Sequence, residues 1–152
     1  MSRAEKAKEY FQQGYACSQA VALAFSDLMH ISEEEIVKLS LPFGGGLGRL
    51  RLTCGAVSGM AMVIGAIFSS EEQSAENKKE VYAIVQEVCG QFQNECGSLI
   101  CAELLEGANL SVVKGGEAEA RTETYYKKRP CGDIVYTAAD ILEKYLKDQG
   151  VL

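Results

Sequence analysis

The stretch that most constrains this chain is CGAVSGMAMVIGAIF, Cys54 to Phe68, fifteen residues without one charge. A membrane span needs about 20 consecutive apolar residues, so this run reads as a core helix and the rest of the chain must cover it. Gly55 and Gly59 sit one turn apart on it and let another helix pack closely there. The covering segments carry helical periodicity. Ser2 to Gln13 is a short amphipathic helix closed by Gly14 as its C-cap. Tyr15 to Met29 contains CSQAVALAFSDLM, apolar on most faces and therefore central. Ser32 opens a capping box with Glu35, and that helix runs to about Ser40, where Pro42 ends it. Glu76 to Phe92 places Val81, Ile84, Val85, Val88 and Phe92 on one face. Ser98 can cap a short helix ending near Gly107. The polar, glycine-bearing segment 108–129 reads as a long loop or mobile excursion. A last helix spans about Asp133 to Lys147, with Ile134, Ala138, Ile141, Leu142 and Tyr145 at helical spacing. No β-alternation and no internal repeat occurs. The expected fold is all-α: one domain over 1–152, a compact helical bundle of six or seven helices.

The 152 residues suit one domain, and at 47% hydrophobic the chain can build a core without disulfides. A net charge of −6 disfavours nucleic acid. The one basic cluster, YYKKRP, is too short to reverse this. MSRAEKAKEYF lacks the apolar region of a secretory signal, so the expectation is a cytoplasmic protein that is not membrane-embedded. In a reducing compartment, six cysteines serve as metal ligands, redox groups or core residues rather than as structural disulfides.

Four of the six fall near predicted helix starts. Cys17 begins the second helix, and Cys54 follows Thr53, a possible N-cap. Cys101 lies three residues after Ser98, and Cys131 directly precedes the last helix, where Asp133 could cap. Helix N-termini expose unpaired N–H groups and positive partial charge, which favour the thiolate. Converging helix starts would therefore make one sulfur site, with Cys54 expected to be its most acidic thiol. Cys89, on the apolar side of its helix, reads as core filling. Cys96 reads as a loop residue that could resolve Cys101. The absence of any C-x₂-C argues against zinc ribbons, thioredoxin motifs and bacterial ferredoxin runs. Gly44, Gly45, Gly46 and Gly48 fit neither G-x-G-x-x-G nor a P-loop. They instead allow a tight loop whose N–H groups point at sulfur or a bound anion. Gly44, Gly45, Gly46, Arg49 and Gly55 are the candidate cofactor-contacting residues, and Arg49 and Arg51 could offset thiolate charge. His30, the sole histidine, reads as a surface residue. No Ser/His/Asp set or paired carboxylates suggest a hydrolase.

The order Cys17, FGGGLGR, CGAVSG at Cys54 to Gly59, GSLICAELL around Cys101, then Cys131 resembles a family of small proteins classed as redox-active and named for its C_GCAxxG_C_C pattern. The resemblance runs from about Tyr10 to Leu146. The family's four cysteines fall on Cys17, Cys54, Cys101 and Cys131; LTCGA lacks a second cysteine before Cys54, as in the simpler CGAxxG form. The resemblance implies redox activity, a frequent link to transporter genes, and kinship to a domain of a multihaem cytochrome carrying an iron–sulfur centre. Without C-x-x-C-H, covalent haem is not expected. The expectation is a redox protein, an oxidoreductase or electron carrier, whose Cys17, Cys54, Cys101 and Cys131 act as catalytic thiols or metal ligands. They would hold a [2Fe–2S] cluster, with zinc ranked second, or cycle through disulfides in electron transfer with a redox partner protein or small thiol. A homodimer is compatible. The alternative is a non-redox helical binding or oligomerisation module with the cysteines as core residues.

Overall fold

The computed structural model describes all residues, Met1–Leu152. Helix accounts for 68% of the chain and there is no strand, so the fold is all-α. Nine helices form: α1 (Arg3–Gln12), α2 (Cys17–Leu23), α3 (Ser26–Met29), α4 (Glu33–Ser40), α5 (Gly55–Phe68), α6 (Ala75–Cys96), α7 (Cys101–Gly107), α8 (Glu123–Lys128) and α9 (Cys131–Asp148). The count exceeds the expected six or seven for two reasons. The segment after Cys17 breaks at Phe25, where Arg3 takes the Ala24 carbonyl (2.9 Å) and forks onto Asp27. Thr122 accepts from the Tyr125 N–H and caps α8 inside the expected loop.

At the centre, α5 crosses α2. A Cβ on Gly59 would lie 2.9 Å from the Ser18 carbonyl oxygen and from Val21 Cβ, so the helices approach at backbone distance, as the glycine spacing suggested. α1 and α9 pack together on one side, and α6 covers α5 and α9. The core holds Phe11, Phe25, Phe92, Met60, Leu142 and Leu146, each essentially without exposure. α2 is held in register by buried polar groups. The Ser18 hydroxyl donates to the Ser40 carbonyl (2.7 Å) and the Gln19 amide to that of Val37 (3.0 Å), while Gln19 Oε1 accepts from the Ala16 N–H (2.8 Å). Because that last bond sets the first turn of α2, it also sets the direction of Cys17.

Several boundaries differ from the sequence reading. Cys54 is itself the N-cap of α5, because Thr53 is drawn into an antiparallel bridge with Ile100. α7 starts at Cys101 rather than after Ser98, whose hydroxyl instead accepts from the Ile100 N–H. α9 starts two residues early, at Cys131 after Pro130. α6 continues to Cys96 and is closed by Gly97 at φ 97°, so Cys96 is helical. His30 is an exposed C-cap. No helix is long and apolar enough to cross a membrane.

Candidate functional site: four helix starts on one cavity

Cys17, Cys101 and Cys131 are the first residues of α2, α7 and α9, and Cys54 is the cap of α5. All four line one partly enclosed cavity of about 330 Å³. Two of the starts are tied by backbone. The Cys54 N–H donates to Leu99 O (2.8 Å), the Cys101 N–H to Leu52 O (2.6 Å) and the Ala102 N–H to Arg51 O (3.2 Å). This short antiparallel link, formed without any strand, sets Cys54 beside Cys101. The Cys17 start is brought in by the helix crossing: a Cβ on Gly55 would lie 3.3 Å from Cys17 Cβ.

The glycine loop supplies the wall between them. Gly45, Gly46, Leu47, Gly48, Arg49 and Arg51 all have positive φ, a run in a left-handed conformation that non-glycine residues disfavour. The fold closes it with hydrogen bonds from Arg51 N to Gly45 O (3.1 Å) and Leu52 N to Gly46 O (2.8 Å). At Gly46 (φ 69°) a Cβ would sit 2.6 Å from Cys101 Cβ and 2.7 Å from Leu52 N. The loop thus touches Cys101 with backbone alone. The other wall is the segment 108–122. It is pinned by Gly115 N–H to Arg49 O (2.8 Å), Arg51 Nε to Val113 O (3.0 Å), and Arg121 to the Phe11 and Tyr15 carbonyls (3.1 Å each). The expected loop or mobile excursion is a strap over the cavity.

Four arginines line the cavity (Arg49, Arg51, Arg121 and Arg129) with one carboxylate, Glu119, which is engaged by Arg129. Arg121 stacks on Phe11, 4.4 Å from its centroid, and Arg51 reaches Cys101 Sγ at 3.8 Å. The thiols respond unequally. Cys131 is lowered to about 7, first because the Cys17 thiol donates toward it, then because Arg129, Arg121 and Arg51 offset burial. Cys17 is raised well above the ordinary thiol value, by holding its proton toward Cys131 and by burial. Burial raises Cys101 against the pull of Arg51. Cys54 is pushed up to about 12, because burial outweighs the Ala56 and Val57 N–H groups that face its sulfur. The expectation that Cys54 is the most acidic thiol is therefore overturned: the helix terminus acts, but desolvation wins where no cation is close.

No pair of cysteines is at disulfide distance and all six are free, so the direct approach expected of the site cysteines is not reached in this state. The donor set of four thiols has the chemistry of a [2Fe–2S] centre. No group of three or more His, Cys, Asp or Glu is placed to hold a metal ion, so in this geometry the four thiols are preformed neither for zinc nor for a cluster. Cys89 and Cys96 lie outside the cavity, and Cys96 borders a second hollow with Glu95 and Glu103. Gly44, Gly45, Gly46, Arg49 and Gly55 all line the cavity. Arg121, Arg129 and Tyr125 are absent from the residues the sequence singles out for the site. YYKKRP, which holds Tyr125 and Arg129, is the one local signal, and nothing local marks Arg121.

The family model described as "Putative redox-active protein (C_GCAxxG_C_C)" matches residues 15–145. The chain belongs to this family. The match spans all four cavity cysteines, the glycine loop and the strap. Comparison with curated proteins and with solved structures returns no match.

Proposed function

We propose that this protein exchanges electrons through the Cys17–Cys131 thiol pair, with Cys131 as attacking thiolate and Cys17 as resolving thiol. The observation that carries this reading is the placement of Cys17 and Cys131 at the starts of α2 and α9 on one cavity wall with Arg51, Arg121 and Arg129, whose charge favours a thiolate at Cys131. A thiol near pH 7 combines a large thiolate fraction with good nucleophilicity. The Cys131 thiolate attacks one sulfur of a disulfide substrate, forming a mixed disulfide and expelling the other sulfur as a thiolate. Cys17 then attacks Cys131 Sγ, its proton passing to the departing thiolate. The products are the Cys17–Cys131 disulfide and two substrate thiols, two electrons having left the protein. A dithiol reductant closes the cycle. Family membership supports redox activity, and the strap and glycine loop restrict access to the pair.

A second reading, a [2Fe–2S] cluster held by Cys17, Cys54, Cys101 and Cys131, draws support from the four thiols on one cavity. One experiment separates the two. Protein purified anaerobically is assayed for iron and sulfide, then equilibrated with a dithiol/disulfide couple, alkylated and mapped by mass spectrometry. A Cys17–Cys131 disulfide in iron-free protein supports the thiol cycle. Stoichiometric iron and sulfide support the cluster. Iron-free protein with no linkage among the four leaves the cysteines as core residues of an interaction module.

A further inference from the structure

Three of the four cavity arginines have fixed duties. Arg129 engages Glu119, Arg51 holds Val113 O and contacts Cys101, and Arg121 holds two carbonyls and stacks on Phe11. These same three act on Cys131. Arg49 does none of this. It has no ion pair or hydrogen bond from its side chain, and its Nε is buried without a partner. It lines the cavity from a backbone conformation, φ 66°, that arginine disfavours. Buried donors are nearly always paired, and strained residues concentrate where a ligand is held. The guanidinium fork matches a carboxylate or similar oxyanion. The rest of the wall includes Leu41, Leu104, Leu105 and Ile134, which suits a short hydrocarbon body, and the cavity falls within the size range of small-molecule sites.

We propose that the cavity takes a low-molecular-weight disulfide bearing carboxylate groups, with Arg49 holding its anionic end while Cys131 attacks the sulfur. This deepens the thiol–disulfide reading and rests on it. The electron balance is that already given: each substrate disulfide becomes two thiols as Cys17 and Cys131 are joined. The chain as a whole carries −6 and repels such a substrate at long range, so a preference for anions has to come from the cavity.

Three disulfides test this on the reduced full chain: 3,3′-dithiodipropionate (dianionic), 2-hydroxyethyl disulfide (neutral) and cystamine (dicationic). Each rate of Cys131 oxidation is divided by that disulfide's rate with a free small thiol. The dianion is expected to react at least about tenfold faster than the neutral compound, with cystamine slowest, as for a site that focuses charge locally. Arg49→Gln should collapse the ratio toward one, and Arg49→Lys should retain part of it. Equal rates, cystamine fastest, or a ratio that survives Arg49→Gln overturns the proposal while leaving the thiol cycle standing. If none of the three oxidises Cys131, the thiol cycle fails and adipate decides the anion site alone. Protection of Cys131 from iodoacetamide by adipate, lost in Arg49→Gln, supports the site; no protection overturns it.

Discussion

Replacing Gly46 with alanine should break the wall that positions Cys101. A methyl group there meets Cys101 Cβ at 2.6 Å, Leu52 N at 2.7 Å and Arg51 Cα at 2.8 Å, and two of these are backbone atoms that cannot rotate away. Overpacking of this kind costs about 1–3 kcal/mol, and a left-handed φ of 69° adds about 1–2 kcal/mol for a residue with a Cβ. Against this, alanine lowers the entropy of the unfolded chain by about 0.4–1 kcal/mol. The net loss is about 1–4.6 kcal/mol. At about 2–4 °C per kcal/mol for a chain of this size, the melting temperature should fall by roughly 2–18 °C. Gly45→Ala is the control. Its φ of 65° is similar, but its nearest contact is the flexible Arg49 Cγ at 3.0 Å, so strain alone should cost about 1 kcal/mol after the entropy gain. Thermal and urea unfolding of both variants measure the difference. Equal losses in the two, or a Gly46→Ala protein within about 0.5 kcal/mol of the parent, would refute a backbone-close contact between loop and Cys101.

Three further outcomes follow from the same geometry. Cys54 holds its proton up to about 12 in the folded chain against an ordinary 9.0, so the folded state binds the proton more tightly and stability falls as pH rises from about 9 to about 12. At about 1.36 kcal/mol per pH unit the full loss is about 4 kcal/mol, and urea unfolding at pH 8 and 10.5 should show a smaller drop in Cys54→Ser than in the parent. Arg129→Gln removes the leading cation beside Cys131 and should move that thiol's reactivity midpoint upward, read by alkylation against pH. Cys89→Ala should cost on the order of 1 kcal/mol and leave the Cys131 midpoint in place, since Cys89 lies outside the cavity.

Much of this fold was legible because its signals are local. The uncharged run at Cys54–Phe68, the Gly55/Gly59 spacing and the Ser32 cap act within one or two turns; the run forms the helix Gly55–Phe68, and Ser32 caps its helix by accepting from the Glu35 N–H, without the return bond of a full capping box. Placement of four cysteines at helix starts survived boundary errors of a few residues, because the first turn of a helix is electrostatically distinct over that whole range. What stayed hidden depends on long-range partners. Thr53 reads as a cap because nothing nearby announces its bridge to Ile100. Segment 108–122 looks like a free loop until Arg49, Arg51, Phe11 and Tyr15 are found holding it. The acidity order of the thiols was misjudged for the same reason. Helix position can be read from sequence, but burial of Cys54 and the convergence of Arg129, Arg121 and Arg51 on Cys131 exist only in the fold.

The central claim, that Cys131 is the reactive thiolate of the cavity, is tested most directly by iodoacetamide labelling of the reduced, metal-free protein across pH, read peptide by peptide. Cys131 should be labelled first, with a midpoint near pH 7, and Cys54 should resist until strongly alkaline pH or unfolding. Labelling of Cys54 or Cys89 ahead of Cys131, or a Cys131 midpoint at or above the ordinary thiol value of 9.0, would contradict it.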